Sequence, residues 1–228
     1  MPSEPPQREA RQPAAPADRA ADGAAARAPR ARPVLEQLAA FYPHLFGATF
    51  LPLKRGIFQD LLAAHPGVFE RDALKEALGW HTRSTRYLTT IASGQQRHDL
   101  KGEPVEAMAP EHVYQALLEV FRRRQARARE DLRPKLRERI VQAFEASGLS
   151  REAYAQLVRG RDEAANALLE DALQEAALRS AKDEALLRAF EASGRSVEEF
   201  ADMYGLQPRD AARALERARR HAPTAATA

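Results

Sequence analysis

The stretch Gly79–Pro104, GWHTRSTRYLTTIASGQQRHDLKGEP, concentrates its polar chemistry at one end: Thr82, Arg83, Ser84, Thr85, Arg86 and Tyr87 are consecutive. Hydroxyls donate to phosphate oxygens, guanidinium groups pair with them bidentately, and a phenol stacks on a base or hydrogen-bonds a sugar. With Thr82 or Ser84 as the N-cap of a helix, the first turn adds free backbone N–H groups and the positive end of the helix dipole. Arg86 and Tyr87 then lie one turn past the cap. Lys75 from the preceding helix, and Lys54 and Arg55 from an earlier one, widen the same basic face, and Arg97 reaches in from the other side. The partner this set fits is a nucleic-acid backbone. Each residue also has a plainer role: Tyr87 as a core aromatic with its hydroxyl satisfied locally, Arg97 paired with Asp99, His81 merely exposed at a helix start, and Trp80 in the core beside Leu78.

Catalytic patterns are missing. The six histidines (His44, His65, His81, His98, His112 and His221) form no i, i+4 pair around a carboxylate, and there is no P-loop, G-x-G-x-x-G or G-x-S-x-G. The chain has no cysteine, which excludes disulfides and thiolate metal sites. No cofactor, metal or enzymatic activity is expected. The net charge of +3 says little by itself; what matters is where the charges cluster. No apolar run reaches membrane-spanning length and the amino end has no signal-peptide hydrophobic region, so a cytoplasmic location is expected.

Positioning these residues requires a mostly α protein. Residues 1–32 are Pro, Ala and Arg with little else and read as a disordered tail, as do 221–228. A mixed domain is expected over 33–129. One helix runs from Val34 and ends at Pro43, and another carries Leu53, Ile57, Phe58, Leu61 and Leu62. A third stops near Gly79 and a fourth spans TRSTRYLTTIAS. QRHDLKGEPVEAM alternates around Lys101-Gly102 as a β-hairpin. Pro110 then opens an amphipathic helix ending in Arg122, Arg123 and Arg124, which together with Arg127 and Arg129 read as a solvated face or as auxiliary phosphate contacts.

Residues 132–220 read as an all-helical module with an internal duplication. AFEASGLSREAYAQL begins at Ala143 and AFEASGRSVEEFADM at Ala189, 46 residues later, and the similarity continues with a one-residue slip. The two copies are placed at 134–178 and 180–220, each as helix, Ser-capped helix, turn, helix. Ser196 and Glu199 form a capping box, and Pro208 suits a first helical turn. Ala201, Gly205, Ala211 and Leu215 have helix-turn-helix spacing. That leaves a second class of function open: duplex DNA binding through Arg209, Arg213 and Arg217, or protein docking and self-association.

Four motifs in order, FYPHLF, LPLKRGIFQDLL, ALKEALGWHTRSTRYL and GQQRHDLKGEPV, resemble the FinO/ProQ family of bacterial RNA chaperones over about Val34 to Arg124. The resemblance implies an α-helical domain with a small hairpin that binds small regulatory RNAs and messenger 3′ ends, at the base of a terminator stem followed by a single-stranded tail. It places RNA-binding roles on Lys54, Lys75, Arg86, Tyr87 and Arg97, with His81 to Thr85 as the phosphate-gripping segment. Where relatives often carry an arginine one turn after Lys75, this chain has Gly79, with Arg83 as the compensating cation. His98 stands where a β-branched apolar residue is usual.

Overall fold

The computed structural model describes residues 31–221. Most of the expected tails lies outside them. Residues 31 and 32 are already helical, with Ala31 buried and the Arg32 Nε 3.2 Å from Glu36. The fold is mostly α with one two-stranded antiparallel sheet among the described residues. By its contacts the chain divides into two units: residues up to Tyr87 together with Gln96–Glu106, and Leu88–Gln95 together with everything from Ala107.

In the first unit, α1 spans 31–41, α2 Pro43–Phe46, α3 Ile57–Ala64, α4 Arg71–Arg83, and α5 starts at Thr85 and runs on to Ile91. Leu38, Leu45, Leu61, Leu74 and Ala77 are fully buried and form its core. Pro43 ends α1, as expected, and also opens α2, because proline suits a first helical turn. Leu53 lies outside α3, which Gly56 starts at φ 82°. The hairpin is short: β1 Arg97–His98 pairs with β2 Pro104–Glu106, with a register shift between Arg97 and His98. Its turn is closed by the Asp99 carboxylate, which accepts from Lys101 N–H at 2.9 Å and Glu103 N–H at 3.0 Å. Gly102 sits at φ 81°, and a Cβ there would lie 2.8 Å from the His44 ring. Only glycine fits.

Two local expectations are corrected. Helix α4 does not stop at Gly79; it continues four residues to Arg83. An interior glycine costs about 1 kcal/mol relative to alanine, and burial of Leu78 and His81 around it outweighs that. Trp80 is exposed at 37%, not in the core, because it falls on the outer side of the extended α4.

In the second unit, α6 (Pro110–Gln125) packs on α7 (Arg133–Ser147) and α8 (Arg151–Val158). Helix α9 (Glu163–Ser193) packs on α7 and on α11 (Pro208–His221), and α10 (Val197–Tyr204) on α11. The Tyr114 hydroxyl donates to the Ala165 carbonyl at 3.0 Å inside this core. The duplication is visible as geometry. Ser150 and Ser196 cap α8 and α10, and Gly148 and Gly194 end the preceding helices in the left-handed conformation. Phe144 meets Tyr154 edge-on at 5.3 Å, and 46 residues later Phe190 meets Phe200 at 5.3 Å. The slip expected in the last part is absent from the packing: Ala165, Leu169 and Ala172 are buried, and so are Ala211, Leu215 and Ala218, still 46 apart. The two copies share α9, which runs unbroken through the expected junction near 179.

Candidate nucleic-acid interface

The loop before α3 gathers the candidate residues of the first unit. Leu53 is held from both sides of its backbone: its N–H donates to the Tyr87 hydroxyl at 2.9 Å, and its carbonyl accepts from Arg97 Nη1 at 3.0 Å. One residue on, Lys54 N–H donates to the His98 carbonyl at 2.8 Å, beside the parallel bridge between Leu53 and His98. One residue earlier, the Pro52 carbonyl accepts from His98 N–H at 2.7 Å. Arg86 lies over the Phe50 ring, 4.3 Å from its centroid, a cation–π contact. Thus α5, the hairpin and the loop 50–55 meet at Leu53, and Lys54, Arg86, Tyr87 and Arg97 come together there.

The charges differ in what else they hold. Lys54 Nζ is 2.8 Å from Asp60, a contact that raises its pKa, and Arg55 Nε is 3.7 Å from Glu106, which also accepts from Arg55 N–H at 2.9 Å. Lys75 is exposed on α4 with no partner among the described residues. Arg83 is also exposed, and its Nη2 lies 3.0 Å from where a Cβ of Gly79 would be. The space left by the glycine is therefore filled by the guanidinium one turn later, on the helix face that carries Lys75. Arg97 pairs with the Leu53 carbonyl, and Asp99 is spent on the hairpin turn.

Of the two residues expected as the cap, Thr82 and Ser84, it is Ser84 that caps the helix. Ser84 lies between α4 and α5, and its Oγ accepts from Tyr87 N–H at 3.1 Å, so Ser84 is the cap of α5. Thr82 is inside α4, where its hydroxyl donates to the Leu78 carbonyl at 2.8 Å. Thr85 opens α5 and is exposed. The His81 side chain, expected to meet phosphate, is instead buried: it is 4% exposed, with ring centroids of Phe46, Phe50 and Tyr87 at 4.7, 4.4 and 4.9 Å. Burial, and secondarily the Arg86 charge, push its pKa down to about 4, so it is a neutral core residue. Tyr87 is 5% exposed; burial raises its pKa, opposed by the Leu53 N–H and Arg97. Its ring packs inside the unit and only its hydroxyl takes part in the site, as structure for Leu53. Phe50, missed by sequence reasoning, carries no motif of its own; only its position under Arg86 identifies it.

In the second unit the auxiliary arginines separate. Arg122 pairs with Glu119 and Asp162, and Arg123 with Glu119 at 2.7 Å, whereas Arg124 is exposed with no partner among the described residues. Helices α10 and α11 are joined by a short turn, with Gly205 at φ 65° between them. Arg209 and Arg213 are exposed on α11, but Arg217 turns inward and holds Asp183 of α9 bidentately at 2.7 and 3.0 Å. The expected row of three arginines is therefore two. No group of metal-ligating side chains occurs among the described residues, and none of their helices is long and apolar enough to cross a membrane.

Residues 29–133 match the family described as ProQ/FINO. Two curated proteins named RNA chaperone ProQ, from Aeromonas salmonicida (strain A449) and Aeromonas hydrophila subsp. hydrophila, are each 37% identical over 89 residues. Those matches cover 36% of this chain and 42% of each relative, so the chain spans less than half the length of these relatives. A solved structure described as a FinO-like RNA chaperone, from Neisseria meningitidis MC58, is 30% identical, covers 38% of this chain and 89% of its own, and has a TM-score of 0.35.

Proposed function

We propose, from the match of residues 29–133 to the ProQ/FINO family, that the protein is an RNA-binding post-transcriptional regulator without a catalytic step, acting in the cytoplasm. Its first unit binds structured RNA at a 3′ stem followed by a short single-stranded tail, and either protects that end or promotes pairing with a second RNA. The observation that carries the reading is the double hold on Leu53, which brings Tyr87 and Arg97 to the loop that also places Lys54 and sets Phe50 under Arg86. Arg86 and Arg97 supply phosphate-pairing charge, and Lys75 and Arg83 extend the face along α4. Ser84 and Thr85 offer hydroxyls at its edge. Tyr87 and His81 act by holding the face in shape. A-form RNA is read largely through phosphate and 2′-OH groups, which such a face suits.

Arg86→Ala and Arg97→Ala should each weaken binding to a terminator hairpin by roughly 1–3 kcal/mol, the range for removing a charged hydrogen bond. Tyr87→Phe serves as the control for Arg97, since it loosens Leu53 without removing charge. Unchanged hairpin affinity in both arginine variants would remove the proposed face. The α10–α11 pair has the spacing for duplex DNA, but the engagement of Arg217 with Asp183 leaves only Arg209 and Arg213 of the three expected arginines for a groove.

A further inference from the structure

A second basic surface lies in the other unit, at the corner where α6 turns into α7. Residues 121–139 hold nine Lys and Arg against three Asp and Glu, an excess of six, although the whole chain carries only +3. Part of that charge is answered locally. Arg122 and Arg123 pair with Glu119, Arg133 with Asp131, Lys135 with Glu130, and Arg137 with Glu175. Arg124, Arg127 and Arg129 have no carboxylate partner among the described residues, and Arg139 has only the Ala92 carbonyl, at 2.9 Å. Helix-dipole stabilisation accounts for cations in the last turn of α6, up to Arg124, but not for Arg127 and Arg129 beyond it.

Between the two helices runs a groove of about 430 Å³. Its floor is apolar, with Leu136 buried and Phe121 and Leu132 half-buried, and its exposed rim carries Arg124, Lys135 and Arg139 against one carboxylate, Glu138. An aromatic ring beside a positive rim is the combination by which single strands are held without sequence readout: bases stack, and cations follow the phosphates. An acidic peptide would use the charge but not the ring. We propose that this groove binds single-stranded RNA, with a base against Phe121 and phosphates on Arg124, Arg127 and Arg129. The proposal rests on reading the chain as an RNA binder but not on the face around Leu53.

The test uses the full chain and two probes, an unstructured oligoribonucleotide and a terminator hairpin, titrated over a range of salt. For the oligoribonucleotide, Arg124→Gln/Arg127→Gln/Arg129→Gln should lower affinity at least tenfold. It should also flatten the plot of log affinity against log salt by about 2, at about 0.7 for each phosphate no longer neutralised. Phe121→Leu, which keeps the floor filled, should cost about five- to tenfold, the effect of removing one stacking ring. Circular dichroism checks that both variants remain folded. Loss of hairpin binding in the Arg86 and Arg97 variants, with oligoribonucleotide binding governed by the α6–α7 variants, separates the two sites. If hairpin affinity ignores Arg86 and Arg97 while the groove variants still fail on single strands, the groove stands and the Leu53 face does not. An unchanged salt slope in the triple variant, or a wild-type protein that ignores the oligoribonucleotide, overturns the groove. So does a sedimentation result in which the triple variant abolishes a dimer, because a second copy would then be the occupant.

Discussion

His81 and Tyr87 illustrate how residues in a stretch of phosphate-pairing polar chemistry can be turned into the core. Both are buried, and the imidazole lies among three aromatic rings with its Nε2 unpartnered. A charged imidazole cannot be solvated there, so the folded-state pKa falls to about 4 from an ordinary 6.5. Because the folded pKa is depressed, the unfolded chain binds more protons between those values. The contribution of neutral His81 is therefore complete above pH 6.5 and lost as pH falls toward 4. The loss should approach about 3 kcal/mol. Trp80, the sole tryptophan, neighbours His81 and reports unfolding of this unit. Denaturant titrations at pH 5 and 7, followed by its fluorescence, should show the acid loss in the wild type and a smaller one in His81→Leu. The same acid loss in both would mean that other groups cause it. The cluster from Thr82 to Tyr87 was legible in the sequence as polar chemistry at a helix boundary. Which member faced inward was not, because Phe46 and Phe50 come from more than thirty residues away.

At the scale of elements, helix starts were legible wherever a side chain writes them. Ser150 and Ser196 each accept from the backbone N–H three residues on, and Glu199 reciprocates to complete the box in α10. Removing such a cap costs typically about 1 kcal/mol. Ser196→Ala should therefore lower stability by about that amount in denaturant titration, and Glu199→Ala should remove the reciprocal part. An Ser196→Ala protein as stable as the wild type would show that packing of Phe200 and Ala201 alone sets the start of α10. Helix ends were less legible. Gly194 stops α9 because its φ of 62° suits glycine, while Gly79 is passed through because the residues around it are buried. The same residue type ends one helix and not the other, and only the packing distinguishes them. The continuity of α9 has a similar origin. Its middle buries Ala172, Leu173 and Ala176, so no break divides the two copies.

For the whole molecule, the mild net charge conceals a strongly uneven one, with positive charge collected around Lys75, Arg83 and Arg86 and again over residues 121–139. Affinity for RNA should accordingly fall as a straight line in log salt, with a slope of about 0.7 to 0.9 for each phosphate neutralised. Isothermal titration or filter binding at several salt concentrations measures it. A slope near zero would mean that neither basic surface meets phosphate. By itself the sequence determined the helical class, the hairpin around Lys101-Gly102, the serine caps and the 46-residue duplication. These follow from periodicity, capping and self-similarity, which are properties of neighbouring or repeated residues. The tertiary structure alone decided which polar groups are spent inside the protein: His81 and Tyr87 in a core, Asp99 on a turn, and Arg217 on Asp183. A side chain's partner is chosen by what folding brings within about 3 Å of it, and across a chain of this kind those neighbours are often tens of residues distant in sequence.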